Sequence, residues 1–535
     1  MPIKVYVADE RPVFDAESFA RGILQIRKPQ YIIYSTEQGK AGMVDEDGIR
    51  AAEAPGVNAY PVLAILPPVY PEWLGGMDFT NTHQVRFPYA GGAMARGIAS
   101  AEMVIALARH GMLGFFGAAG LGPARLEAEI SKISCALDPN HLSWGSNLIH
   151  SPGNPLLEEE TIDLYLKYKV KRISAAAFMN VTPGIVRYVC KGLYRDADGG
   201  IKRKHYVFAK ISRPEVVRHF LAPAPEAMVD ALLSKGQITE QEAEWVRQIP
   251  VCEDIDVEGD SGGHTDNRPL GPLFTSITLL RDEMVSRYAY KAPIRLGAAG
   301  GLGTPEAIAS AFAMGADYAV IGSVHQSAVE AGTSPKVKDA LSKAGIADTV
   351  MTPSADMFEL GAKVQVLKLG TMMGVRGNRL YELHKNYSSI EAIPERIRKE
   401  IEDTIFGSSL EEVWKETVNY FEKTDPVQIR TAEKNPRHKM ALVFRWYLGN
   451  SSHWPISGEE KRSMDYQIWC GPAMGSFNQW VKGSFLEEPE NRRIGQIALN
   501  LLEGAAVVTR MNQIRSLGIP IPCRAASYRP EVLAL

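Results

Sequence analysis

The residues able to do chemistry gather in a few glycine-rich segments. Asp256–Arg268 reads DVEGDSGGHTDNR and sets one imidazole, His264, behind Gly262-Gly263. Histidine is the side chain best suited to exchange a proton near neutral pH, so this loop can supply an acid-base group. It reads equally as a loop histidine bonded to Asp260 or Asp266, with no chemistry. Ala292–Ser323, APIRLGAAGGLGTPEAIASAFAMGADYAVIGS, carries two further turns, Gly300-Gly301 and Gly322-Ser323. Each ends an apolar run and opens a helix, where backbone N–H groups with no Cβ in the way suit phosphate oxygens. A glycine turn in a doubly wound sheet that binds nothing is the other reading. Gly92-Ala93-Met94 offers main chain that can lie against a flat ligand beside a soft thioether, or is a mere turn. Asn147 and Lys210 each fall near the end of an apolar run. The amide would bond a ring edge or cap a turn, and the ammonium would serve a ligand or stand in water.

These residues need a scaffold that brings strand ends together. Within the unit above, Ile294–Ala298 and Tyr318–Ile321 read as strands, with Thr304 as N-cap and Pro305 at the first helical position between them. The same alternation runs upstream. Strands are expected at Val85–Ala90, Met112–Phe116, Leu142–Ile149, Val170–Ala177, Tyr206–Ile211 and Val251–Val257, each followed by a helix. Eight strand-helix pairs in a row call for a closed parallel (β/α)8 barrel, whose active site opens at the C-terminal ends of the strands. The expected fold is therefore α/β: a TIM barrel over 85–328, an appended α+β segment over 1–84, and a helical lid and C-terminal region over 329–535. Two excursions interrupt the barrel, a turn-rich one at Gly192–Lys204 and two helices over 225–248 with Thr239 as a cap. Beyond Val329 the pattern turns helical and loses its strands, with helices expected at Ser334–Ala344, Ala355–Lys368, Pro394–Thr404, Leu410–Lys423, Ala441–Leu448, Met474–Val481 and Arg493–Ser516. Some of them should roof the barrel mouth.

Composition excludes several classes. The 535 residues are 45% hydrophobic and 23% charged, with a formal net charge of −3, so no global field draws nucleic acid or a membrane surface. Cys135, Cys190, Cys252, Cys470 and Cys523 are odd in number and scattered, which argues against a disulfide framework or a zinc site and suits a reducing cytoplasm. The N-terminus carries no apolar targeting segment, and no run approaches a membrane span. A cytoplasmic enzyme with no resident metal is expected.

Three blocks carry a resemblance: AGGAMARGIASAEMVIALARHGMLGFFGAAG, DVEGDSGGHTDNRPLGPLF and PIRLGAAGGLGTPEAIASAFAMGADYAVIGS. They resemble the nitronate monooxygenase-like flavin barrels. GAKVQVLKLGTMMGVRGNRLYELHKNYSSIEAIP and VFRWYLGNSSHWPISGEEKRSMDYQIWCGPAMGSFNQWVKGS narrow the match. These are similar to the PfaD-type trans-acting enoyl reductases of polyunsaturated fatty acid synthases and trans-acyltransferase polyketide synthases. The resemblance implies FMN over the barrel mouth, its phosphate on Gly300-Gly301 and Gly322-Ser323. Gly92, Ala93 and Met94 would lie against the ring, with Asn147 and Lys210 around its polar edge, Gly262 and Gly263 also binding the cofactor, and His264 as the catalytic group. It further implies NADPH as reductant and a 2,3-enoyl thioester borne on a separate acyl carrier protein, and leaves a homodimer open. Alternatives are a nitronate monooxygenase and a non-redox phosphate-binding barrel. The monooxygenases usually read Glu-Ala-Gly-Gly-His, whereas Asp260-Ser261 precede the glycines here. An acidic carrier would need a local basic patch, for which Lys202-Arg203-Lys204 and Arg437-His438-Lys439 are the candidates.

Overall fold

The computed structural model describes residues 5–8, 12–51, 59–150, 155–521 and 527–534; Cys523 lies outside them. Strands β1 (Val5–Ala8), β2 (Gln30–Ser35), β3 (Lys40–Asp45), β4 (Ile49–Ala51) and β5 (Ala59–Leu66) form an antiparallel sheet in the order β3-β2-β5-β1-β4. Its helix, Ala16–Leu24, begins at Asp15, whose carboxylate accepts the Ser18 N–H at 2.7 Å. An N-cap of this kind satisfies one of the donors a helix start leaves free.

The barrel closes through β6 (Tyr89–Gly91), β7 (Leu113–Phe116), β8 (Gly145–Ile149) and β9 (Arg172–Ala176). The hairpin β10 (Tyr194–Arg195) and β11 (Ile201–Lys202) interrupts it before β12 (Tyr206–Ile211) and β13 (Asp254–Glu258). After a short strand β14 (Gly263–His264), β15 (Arg295–Ala299) and β16 (Tyr318–Ile321) complete the ring, and β16 pairs back onto β6. All eight pairings are parallel, so every C-terminal strand end, glycine turns included, faces one mouth. Thr304 caps the helix Pro305–Ala313 as expected, and Thr239 forms a full capping box on Glu240–Val246.

The barrel interior is built in layers. Asp254, Asp256 and Glu258 alternate along β13, so all three carboxylates point to the same side of the wall. At the base Asp254 takes a bidentate pair from Arg295, at 2.6 and 2.8 Å. His83, on the helix Met77–His83 that plugs this end, sets Nε2 3.1 Å from Asp254 while its Nδ1 accepts from Arg172 Nε at 3.2 Å. Burial pushes the His83 imidazole down to about 4, so it stays neutral and donates to Asp254. One layer up, Tyr318 donates to Asp256 at 2.7 Å and stacks on Phe79, ring centroids 4.2 Å apart. Gly297 makes this possible, because a Cβ there would stand 2.3 Å from the Tyr318 ring.

The C-terminal region departs from its sequence reading. Strands β17 (Thr349–Pro353) and β18 (Lys363–Leu367) lie within the stretch expected to be all helix, and the helix expected over Ala355–Lys368 is absent. Val364, Gln365, Val366 and Leu367 are all buried, so pairing on both sides overrides their short-range pattern. The helix Met373–Asn386 gives little sign of itself in the sequence because Gly374 and Gly377 weaken its propensity. Both glycines face β17, where a Cβ would meet Val350 at 2.5 Å and Thr352 at 2.4 Å. Around this sheet Phe358, Leu380, Phe406, Phe444 and Tyr447 form a second core, separate from the barrel's. No helix among the described residues is long and apolar enough to cross a membrane.

Candidate active site

The mouth is lined by four glycine turns that serve different purposes. Gly301 has φ +72° and a Cβ there would meet nothing within 4 Å, which is also true at Gly322. Both turns thus leave open room at the mouth, the first of them just ahead of the helix Pro305–Ala313. Gly300, with φ +85°, has another task. A Cβ there would stand 2.7 Å from the Asp260 carbonyl oxygen, so glycine lets the sixth-strand loop press onto the seventh. Gly262 likewise admits the Cys470 backbone, 2.8 Å from its own would-be Cβ. Gly92 gives its N–H to the Ile321 carbonyl at 2.9 Å, which stitches the first strand to the eighth. Ala93 and Met94 follow, partly buried, with the Met94 carbonyl accepting from Ala99 at 3.1 Å.

His264 is held from outside the barrel. Its strand, β14, pairs antiparallel with β18, residue against residue: Gly263 with Gln365 and His264 with Val364. Nε2 lies 3.0 Å from Ser354 Oγ and 3.2 Å from Asp356 Oδ1, and the Ser354 hydroxyl also donates to that carboxylate. Burial works to raise the Asp356 carboxyl, but the hydrogen bond and charge of His264, with Ser354, outweigh it and hold the group well below the usual range. The carboxylate partner is thus Asp356, not Asp260 or Asp266. Asp266 is taken by Ser212 and by Arg213 at 2.9 and 2.8 Å, and Asp260 by Asn267 at 3.0 Å and Gln365 at 2.6 Å. With Nε2 anchored, Nδ1 makes no hydrogen bond to any described residue. Trp469 covers Gly263, its ring 3.7 Å from the would-be Cβ, and Gly471 donates to the Ser323 hydroxyl at 3.0 Å. The segment ahead of the helix Ala473–Val481 thereby roofs the sixth, seventh and eighth loops together.

Lys210 ends β12 with its ammonium 2.7 Å from Glu258 Oε1, and Ser261 donates to the same oxygen at 2.8 Å. The cation is oriented rather than free. Below it, burial pushes the Asp256 carboxyl up to about 7, against the Tyr318 hydrogen bond, which favours the charged form. Asn147, buried on β8, accepts the Ala119 N–H at 2.9 Å through Oδ1. That bond fixes the amide plane and leaves its two N–H donors without a partner among the described residues.

In each basic run the central residue is buried, and only its neighbours reach the surface. Arg203 is buried, 3.0 Å from Glu253 and donating to the Val251 and Pro250 carbonyls at 3.0 and 2.9 Å. It sits ahead of β12, at the end of the barrel opposite the mouth. His438 is buried between Glu359 at 2.9 Å and Gln428 at 2.9 Å, and Arg437 donates to the His384 carbonyl at 3.2 Å. Charge counting along the chain could not reveal that the central residue of each triplet points inward. Sequence reasoning also missed Glu258, Ser354, Asp356, Gln365 and Trp469; only the alternation in KVQVL hinted at any of them.

Residues 78–371 match the nitronate monooxygenase family, and residues 387–466 match the inserted helical domain of [acyl-carrier-protein] S-malonyltransferase. The chain is 46% identical over 437 residues to the polyketide biosynthesis protein PksE of Bacillus subtilis, covering 82% of this chain and 56% of that protein. It is 44% identical over 450 residues to a component of the polyunsaturated fatty acid synthase of Thraustochytrium sp., covering 83% of this chain and 30% of that component. The chain therefore spans about half or less of the curated relatives it matches. Among solved structures, the enoyl reductase domain of MlnA, from the macrolactin biosynthesis cluster of Bacillus amyloliquefaciens, is similar at 38% identity and a TM-score of 0.80, covering 83% of this chain and 99% of that domain. These matches agree with the closed barrel, its glycine-lined mouth and the helical region that covers it: the chain belongs to the nitronate monooxygenase family, as a barrel of the PfaD-type enoyl reductase kind.

Proposed function

We propose that this chain is an FMN-dependent, NADPH-preferring reductase of 2,3-enoyl thioesters carried on an acyl carrier protein. The observation that carries the reading is the likeness to the MlnA enoyl reductase domain along nearly its whole length. The residues at the mouth fit the cofactor. Open room at Gly301 and Gly322 would cradle its phosphate, Ala93 and Met94 would flank the ring, and the free N–H donors of Asn147 suit a ring carbonyl. When bound, FMN would take a hydride from NADPH and supply one to the β-carbon of the enoyl thioester. Lys210, held by Glu258, would set positive charge toward the ring's polar edge and favour its reduced, anionic form. His264 would face the thioester with Nδ1. Protonated there, it polarises the carbonyl or delivers the proton that the α-carbon needs, giving the saturated thioester. Asp356 and Ser354 fix the orientation of its ring. Trp469–Gly471 would keep bulk water from the loops they cover.

The S-malonyltransferase helical match over 387–466 supports a carrier-borne substrate. The test is a steady-state assay with the yellow fraction of the purified protein. NADPH oxidation should depend on a crotonyl thioester and yield the butyryl thioester, and the released chromophore should be FMN. Oxygen consumption with a nitronate and no NADPH would instead select the monooxygenase reading.

A further inference from the structure

Arg96 stands out among the cations of the mouth. It lies in the loop after β6, with φ +59°, a left-handed conformation that arginine does not favour. Its N–H donates to the Ala119 carbonyl at 2.7 Å, which ties the loop after the first strand to that after the second. The side chain runs past Gly120, whose would-be Cβ is 3.3 Å from Arg96 Cγ and 3.8 Å from Nε. The guanidinium of Arg125, an exposed residue, stands 3.4 Å from the would-be Cβ of Gly97, the next residue of the same loop. Among the described residues neither guanidinium has a carboxylate partner or a hydrogen bond. Burial depresses the Arg96 guanidinium. A partly buried arginine with no anion beside it gives up hydration without a compensating charge unless a ligand supplies one.

We propose that Arg96, assisted by Arg125, forms an anion subsite where the loops after β6 and β7 meet at the barrel mouth, taking a phosphate ester of an incoming ligand. Planar guanidinium donors match phosphate oxygens in pairs, which suits a fixed phosphate better than a diffuse charge. Two ligands of the proposed reaction carry such a group: the phosphopantetheine arm of the thioester and the 2′-phosphate of NADPH. The ligand's identity rests on the proposed function, whereas phosphate binding at Arg96 does not.

The test is calorimetric titration of the purified full chain with two probe pairs: 4′-phosphopantetheine against pantetheine, and 2′,5′-ADP against 5′-AMP. Within a pair, only the phosphate differs. At least one phosphorylated probe should bind more tightly than its counterpart, and Arg96→Gln should weaken it about tenfold or more, the effect of one charge-assisted contact. The counterpart should be unmoved, Arg96→Lys should retain part of the affinity, and the responding pair names the source. If neither phosphate improves binding, or Arg96→Gln leaves both affinities unchanged or lowers each counterpart equally, the subsite is refuted. Should the wild type reduce no enoyl thioester while Arg96→Gln still loses the phosphorylated probe, the proposed function fails and the subsite stands. Normal enoyl reduction with an unresponsive Arg96 is the reverse case.

Discussion

His264 Nε2 lies 3.0 Å from Ser354 Oγ, a contact between a barrel loop and a loop of the helical region's sheet. The histidine on the family's glycine loop is therefore aimed by residues outside the barrel. Replacing His264 with Ala removes the acid-base group without touching the open cradle at Gly301. Enoyl-dependent reoxidation of the reduced protein should slow by about 10²–10⁴-fold. Bound flavin per chain should stay at the wild-type level. Asp356→Asn should lower kcat more than it raises KM, because it loosens the ring rather than the substrate. Unchanged single-turnover rates in both variants would remove His264 from the chemistry.

Gly262 admits the Cys470 backbone at a separation no side chain tolerates. Gly262→Ala should push the roofing segment outward and destabilise the fold by about 1–3 kcal/mol, as overpacking does. Flavin binding should survive, since the cradle is untouched. The measurements are the midpoint of thermal unfolding and the flavin content of the same sample. An unaltered midpoint would mean that this contact does not hold the roof down.

Much of this was legible in the chain. The eight barrel strands announced themselves through short apolar runs, several of them ending in glycine turns, because a parallel sheet covered on both faces needs such runs. Thr239 and Thr304 marked their helices because capping is local chemistry. What stayed hidden depends on long-range contact. Lys363–Leu367 became a strand because β14 and β17 flank it, and β14 lies far upstream in sequence. Gly300 and Gly301 are indistinguishable as letters, yet one packs against Asp260 and the other faces open space. The basic triplets misled for the same reason: burial of Arg203 and His438 is set by neighbours distant in the chain.

Gly301 offers a clean probe of the cradle. Asparagine tolerates a positive φ better than most residues, and its side chain would occupy the open space there. Gly301→Asn should fold with little change in thermal midpoint and purify with flavin content reduced about tenfold or more, as loss of one charge-assisted contact would give. Full flavin occupancy in the variant would move the phosphate elsewhere.

Asp256 ties stability to pH. Its folded carboxyl sits at about 7, above the roughly 3.9 of an unfolded chain. The folded state therefore binds the extra proton between these values. This contribution is fully present below about pH 4 and is lost as pH rises through about 7. Asp256→Asn removes the titration, so the difference in melting temperature between variant and wild type should move in the variant's favour from about pH 5 to about pH 8. A difference that is flat over that range would show that Asp256 is ionised throughout.

Under the proposed function the reduced protein passes its electrons to a carbon–carbon double bond. This is read anaerobically: the protein is reduced with one equivalent of NADPH, then mixed rapidly with a crotonyl thioester while flavin absorbance is followed. The oxidised spectrum should return without oxygen, with one butyryl thioester formed per flavin. A spectrum that stays bleached until air is admitted, in a protein that consumes a nitronate with oxygen, would contradict it.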